Sequence, residues 1–223
     1  MLNWQNIDAV IFDMDGTLVD SMQYWRDLPL NLFQTNGVPM PNNLEKLLAS
    51  ADLWQAAEVF AQQFIPQLTT RQIFDQLQQE MDAHYAQDIP LLPGVRQLLK
   101  ALQQNGKKMC IATMTDRPQV ETMLHSQQLE SIFDFLLTTP EVGSGKNQPD
   151  IFLQACQRFG LPKQRVAVFE DSRTAAKTVL KLGMPLVFIY DEKSPLAEMQ
   201  ALAEEYQTSL TLIKTYAELN LPE

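Results

Sequence analysis

Cysteine and histidine are scarce in this sequence, with two of each among 223 residues. Two cysteines, Cys110 and Cys156, cannot build the disulfide framework that staples a small secreted domain. Basic residues are also in deficit: 17 Lys and Arg stand against 27 Asp and Glu, for a net charge of −10. A surface so acidic repels nucleic acid and anionic lipid over most of its area, so neither is expected as a partner. A small anionic substrate is not excluded, because one or two placed cations hold it locally. No run of about 18 apolar residues is present, so no membrane span is expected. The leading Met-Leu-Asn-Trp-Gln-Asn-Ile-Asp has no basic stretch followed by an apolar one, which argues against a secretory leader. A soluble, reducing, cytoplasmic setting is the expectation. There are no internal repeats, and the many Gln residues are scattered over polar faces.

What is present reads as globular: 45% apolar and 20% charged residues, enough for a sizeable core in one or two domains. Five short apolar runs rich in β-branched and aromatic residues, at 9–12, 109–113, 133–137, 166–169 and 186–190, have the character of buried strands; a weaker sixth lies at 210–213. The later runs alternate with helix-length segments carrying Pro near the start and Gly past the end: Pro93 to Gly106, Pro149 to Gly160, Ser172 to Gly183, and a last one from Ser194-Pro195. This alternation predicts an α/β fold, a doubly wound parallel sheet with helices on both faces. Between the first two strands the pattern changes. Residues 21–90 contain no strand and read as helices near 21–35, 42–50, 53–65 and 70–87. Thr69 and Gln72 fit a capping box, Pro66 closes the third helix, and Pro29 is expected to kink or shorten the first. The expected organisation is therefore a core of residues 1–20 and 91–223 with an inserted all-helical domain at 21–90, hinged near Ser21 and Leu91–Pro93.

The chemistry gathers at strand ends. The first strand runs into Asp13-Met14-Asp15-Gly16-Thr17, two carboxylates spaced i, i+2 that repel unless a cation or a shared proton intervenes. The third ligand pair, the Gly at the sixth place and the Glu at the twelfth that an EF-hand needs are missing. The second strand ends at Thr113, whose hydroxyl and neighbouring N–H groups suit a phosphate oxygen. After the third comes Lys146 in a Gly-flanked loop without Walker A spacing. The fourth ends Glu170-Asp171-Ser172. Four carboxylates, one Lys and one Thr thus converge on the carboxyl edge of the sheet, where open α/β sheets bind ligands. Hard oxygen donors suit Mg²⁺, whereas zinc would prefer His or Cys. Mg²⁺ completed by a substrate phosphate is an arrangement for phosphoryl transfer.

Asp13-x-Asp15-Gly16-Thr17-Leu18-Val19-Asp20, then Thr113, Lys146 and Glu170-Asp171, resemble in order and spacing the four motifs of the haloacid dehalogenase (HAD) superfamily. The helical insert after the first motif resembles the cap of its β-phosphoglucomutase-like subfamily. The resemblance spans roughly residues 5–215. It implies a Rossmann-like core and Mg²⁺ as cofactor. It also implies Asp13 as the nucleophile that forms an aspartyl-phosphate, and Asp15 as general acid and then base. Thr113 and Lys146 would form the phosphate clamp. The metal would be held by Asp13, Asp171, the Asp15 carbonyl and Glu170 as helper.

Some positions depart from the pattern. Lys146 is followed by Asn147 where Pro is common, and Ala175 stands where Gly is usual. Trp25 occupies a place near which the mutases carry a cap His, and Leu48-Ala49-Ser50-Ala51 replaces their cationic cap loop. Residues 21–90 hold three basic and eight acidic side chains, a poor grip for a second phosphate. The expected activity is hydrolysis of a small phosphate monoester, sugar phosphates first. A phosphosugar mutase and a non-enzymatic phosphometabolite-binding regulator are the alternatives; a haloalkanoate dehalogenase would have no use for Asp15. Arg117, at the turn into a helix, and Trp25 are candidate substrate contacts at the cleft mouth. His84, His125, Cys110 and Cys156 read as ordinary surface or packing residues.

Overall fold

A computed structural model describes residues 2–48, 51–190, 196–206 and 209–220. In chain order, β1 (Ala9–Phe12) is followed by α1 (Met22–Thr35), α2 (Leu44–Leu48), α3 (Leu53–Gln63) and α4 (Thr70–Gln87). Then come α5 (Val95–Gln104), β2 (Lys108–Thr113), α6 (Arg117–Gln127), β3 (Phe135–Thr138), α7 (Thr139–Val142) and α8 (Asp150–Phe159). The chain continues through β4 (Val166–Glu170), α9 (Arg173–Lys181), β5 (Leu186–Ile189), α10 (Leu196–Glu205) and β6 (Leu210–Ile213). It divides into two compact units, Met1–Asp20 with Pro90–Glu223, and Ser21–Ile89.

The first unit is built on a six-stranded parallel sheet in the order β3-β2-β1-β4-β5-β6. The four residues of β1 are all fully buried because β1 lies in the middle with β2 and β4 beside it. Strand alternation sorts the side chains. Ala9, Ile11, Cys110, Ala112, Val166, Val168, Leu186 and Phe188 form one core layer with Ile151, Phe152, Phe159 and Val179 from α8 and α9. The opposite layer includes Phe12, whose ring lies 4.9 Å from Phe169, and Phe169 stacks on Tyr216 at 6.2 Å. Each such ring contributes about 1.5–3 kcal/mol by burial. Ala175 is fully buried in the α8–α9 layer, so its methyl is accommodated.

Strand limits differ from the sequence reading by a residue or two. β3 starts at Phe135 rather than 133. The Asp134 side chain and backbone both bond to Met109, at 2.8 Å each, and Phe133 packs edge-on against Phe12 at 6.2 Å. The one-turn α7 went unforeseen, although Pro140 at its first turn and Gly143 after it are its punctuation. Ser172 does sit at the N-cap of α9 without a side-chain cap; Glu170 accepts the N–H groups of Asp171 and Ser172, just before the helix. The proposed start at Ser194-Pro195 lies outside the described residues.

The second unit packs α4 against α1 and α3, around Leu28, Leu32, Phe33, Ala57, Phe60, Ile73, Leu77, Met81 and Tyr85. Phe33 meets Phe60 edge-on at 5.3 Å. Thr69 and Gln72 form the reciprocal capping box of α4. α1 runs unshortened through Pro29. Proline there removes only the N–H that would reach Trp25, and the buried Leu28, Leu32 and Phe33 hold the helix on both sides. α2 falls within the segment expected at 42–50, whose Ala49 and Ser50 lie outside the described residues. On the core side, the two chain crossings run side by side. Asp20 N–H donates to the Pro90 carbonyl at 3.0 Å, and Leu92 N–H to the Leu18 carbonyl at 2.9 Å. Among the described residues no helix is long and apolar enough to cross a membrane.

Candidate active site

The carboxyl edge of the sheet brings Asp13, Thr113, Lys146 and Glu170 together, all of them buried. Asp13 directly follows β1, and its N–H extends the ladder to the Phe169 carbonyl of β4 at 3.0 Å. The next residues wind tightly. The N–H groups of Leu18 and Val19 both converge on the Met14 carbonyl, at 2.8 and 3.1 Å, and Gly16 N–H bonds back to Val19. That path needs φ +73° at Gly16, which glycine adopts without a steric cost.

Lys146 reaches this edge from the loop after α7. Its Nζ donates to Asp13 Oδ1 at 2.5 Å and to Glu170 Oε1 at 2.6 Å. Glu170 Oε2 accepts the N–H groups of Asp171 and Ser172 at 2.9 and 2.8 Å. Both Glu170 oxygens therefore have internal partners, and its fully buried charge holds Lys146 in place. Oxygens of Asp13, Glu170 and Asp171 lie within 4.8 Å of one another. At an effective dielectric near 20, each like-charged pair at that range repels by about 3–4 kcal/mol. One ammonium does not neutralise the group. Burial first, and then the Glu170 charge against the opposing pull of Lys146, push Asp13 up to about 7. Burial and the charges of Glu170 and Asp13 raise Asp171 well above the carboxylate range. Burial pulls Lys146 down, but Asp13 and Glu170 outweigh it and keep it firmly protonated. A dry, oxygen-only, over-negative cluster is what a hard divalent cation complements, so the residues fit Mg²⁺.

Residues 7–181 match the haloacid dehalogenase-like hydrolase family. The chain belongs to that family. This hydrolase is 24% identical to the phosphorylated carbohydrates phosphatase of Thermotoga maritima, over 82% of its own length and 84% of the relative. It is 27% identical to (DL)-glycerol-3-phosphatase 2 of Arabidopsis thaliana, over 94% and 90% of the two chains. Among solved structures, CbbY from Rhodobacter sphaeroides in complex with phosphate shares the fold, with a TM-score of 0.78, 24% identity and 96% of each chain covered.

Two site residues of the hydrolase escaped the sequence reading. Thr115 is buried, and its hydroxyl donates to Asp15 Oδ2 at 2.6 Å. Tyr216 lies in the turn after β6, and its hydroxyl donates to the Thr17 carbonyl at 2.7 Å, bracing the loop that carries both Asp residues. Its only signal was a buried-type aromatic near the C-terminus. Thr17 Oγ1 is buried and has no hydrogen-bond partner among the described residues. Arg117, expected at a cleft mouth, is committed to the core unit: its guanidinium pairs with Glu141, at 2.8 Å through one nitrogen, and donates to the Leu136 carbonyl at 3.1 Å. That ties the start of α6 to β3 and α7, a structural task. Trp25 is half-buried on α1 in the second unit. Cys110 and Cys156 are buried free thiols. His84 pairs with Asp88 and His125 with Glu130, both at 2.8 Å.

Proposed function

We propose that this hydrolase is a Mg²⁺-dependent phosphatase of small phosphorylated sugars and polyols, working through a phosphorylated Asp13. The observation that carries the reading is the Lys146 ammonium bonded to both Asp13 and Glu170 in a buried cluster of three carboxylates. The names of the relatives, a carbohydrate-phosphate phosphatase and a glycerol-3-phosphatase, support the substrate class.

In the first step an Asp13 oxygen forms a bond to phosphorus while the phosphorus–oxygen bond to the alcohol breaks. Asp15 gives its proton to the departing oxygen, whose pKa as a free alcohol is far above 7. In the second step Asp15, now ionised, takes a proton from water as that water attacks phosphorus. Inorganic phosphate leaves and the Asp13 carboxylate is restored. Lys146 and the Thr113 hydroxyl bind the phosphoryl oxygens, and the Lys146 charge offsets the approach of one anion to another. Glu170 keeps Lys146 in position through its own two backbone bonds. Asp13, Asp171 and the Asp15 carbonyl would hold Mg²⁺, with Glu170 close by. When bound, the ion supplies positive charge against the phosphate and lowers the repulsion among the carboxylates.

Residues 21–89, the second unit, are read as the helical cap domain of this hydrolase. Their three basic and eight acidic residues suit a substrate with a single phosphate, which separates this reading from a phosphosugar mutase. Trp25, in place of a cap histidine, points the same way. Phosphate release from a panel of sugar, polyol and aryl phosphates, with Mg²⁺ and with EDTA, is the test. Mg²⁺-dependent release is expected. No release from any panel member, or full release in EDTA, would overturn the reading.

A further inference from the structure

Thr115 joins two parts of the site that the sequence keeps 100 residues apart. The residue is 7% exposed. Its hydroxyl donates to Asp15 Oδ2 at 2.6 Å, and its backbone N–H donates to Thr113 Oγ1 at 3.1 Å. The contact exists because β1 and β2 are parallel neighbours, with Phe12 opposite Ile111, so that both strands release their chains at the same edge. Asp15 is only half-buried, on a loop beyond the strand. A side chain there has rotamers to choose among, and a hydrogen bond of this length favours one. The second tie acts on Thr113. Because Thr113 Oγ1 accepts from the Thr115 N–H, its own proton remains to be donated to a phosphate oxygen.

We infer that Thr115 is a positioning residue: it holds the Asp15 carboxyl group toward the Thr113 phosphate clamp, so that a single turn after β2 aligns the phosphoryl group with the acid that protonates its leaving oxygen. The inference rests on the reading of Asp15 as that acid. It goes beyond it by assigning the alignment to a residue that touches neither phosphorus nor metal.

Thr115→Val keeps the shape and removes only the hydroxyl, and Thr115→Ser restores a hydroxyl without the methyl. The readout is the rate of the first step by rapid quench, on glycerol phosphate and on p-nitrophenyl phosphate, whose leaving group needs little protonation. Thr115→Val should slow the first step on glycerol phosphate roughly 10- to 100-fold, no more than the lower limit of what general acid catalysis supplies because the acid itself remains, and p-nitrophenyl phosphate by less than about threefold. KM should be unchanged, and Thr115→Ser should recover most of the lost rate. Equal loss on both substrates, loss confined to KM, or no rescue by Ser would overturn the inference, the second result marking Thr115 as a direct substrate contact. Asp15→Asn is measured alongside. If Asp15→Asn is selective for the alkyl substrate and Thr115→Val is not, the positioning role fails alone. If Asp15→Asn is itself unselective, the reading of Asp15 fails and the inference fails with it.

Discussion

Replacing Lys146 with Met removes the one ammonium bonded to both Asp13 and Glu170. The methionine fills much the same volume, so the effect is electrostatic. Lys146 is 5% exposed and bonds Asp13 at 2.5 Å and Glu170 at 2.6 Å. Glu170 keeps its two backbone N–H donors, but Asp13 keeps none of this compensation and faces Glu170 and Asp171 within 4.8 Å. Removing one partner of a buried ion pair costs about 3–5 kcal/mol. For a chain of this size that is roughly 6–20 °C in Tm. The loss depends on pH. The Asp13 carboxyl is already held up to about 7, against 3.8 in the unfolded chain. A carboxyl whose folded pKa is raised destabilises the fold progressively as pH climbs from the unfolded value to the folded one. Without Lys146 that window extends upward. Near pH 5.5 the group is protonated with or without Lys146 and that part of the cost disappears; at pH 8, inside the extended window, more of the cost applies. Thermal and urea melts of the metal-free protein at the two pH values measure this. A destabilisation under about 1 kcal/mol at pH 8, or one equal at both pH values, would refute the electrostatic argument.

Asp13→Asn should act in the opposite sense on metal-free protein. Its stabilisation grows from about pH 4 to pH 7 and levels off at up to about 4 kcal/mol, the free-energy equivalent of the shift from 3.8 to about 7; urea melts at pH 4 and pH 8 that differ from wild type by the same amount would contradict it. Added Mg²⁺ should raise the wild-type Tm, by the equivalent of about 2.7 kcal/mol at a hundred times its Kd, and should raise that of Asp171→Asn much less. Gly94→Ala should lower stability by at least 1–3 kcal/mol, because Gly94 has φ +93° and a Cβ there would sit 2.7 Å from Tyr216 Cβ; circular-dichroism melts within 1 °C of wild type would show that the turn after β6 relaxes freely.

The sheet was legible because each strand is a short β-branched and aromatic run bounded by helix punctuation, and central strands such as β1 are buried on both faces. The charged members of the site were legible too. Asp13 and Asp171 directly follow strands, Glu170 ends one and Lys146 lies in the loop that leads on from β3 through α7, and parallel strands bring their carboxyl ends to one edge. What stayed hidden depends on contacts between distant segments. Thr115 reads as an ordinary loop threonine until β2 is set beside β1. Tyr216 reads as a late aromatic until its hydroxyl reaches Thr17, 199 residues earlier. Arg117 was open to a substrate role because Glu141, which takes its guanidinium, lies on a one-turn helix with too short a pattern to register. The charge on Glu170 showed in the sequence, but not that both its oxygens would be tied down by Lys146 and two backbone N–H groups.

The central claim is that Asp13 carries the phosphoryl group. Acid quench of the protein during turnover of a ³²P-labelled sugar phosphate, followed by peptide mapping, tests it most directly. The account predicts label on the peptide containing Asp13, labile to hydroxylamine as an acyl phosphate is, and none in Asp13→Asn. Turnover with no labelled protein, or label that survives in Asp13→Asn, would contradict it.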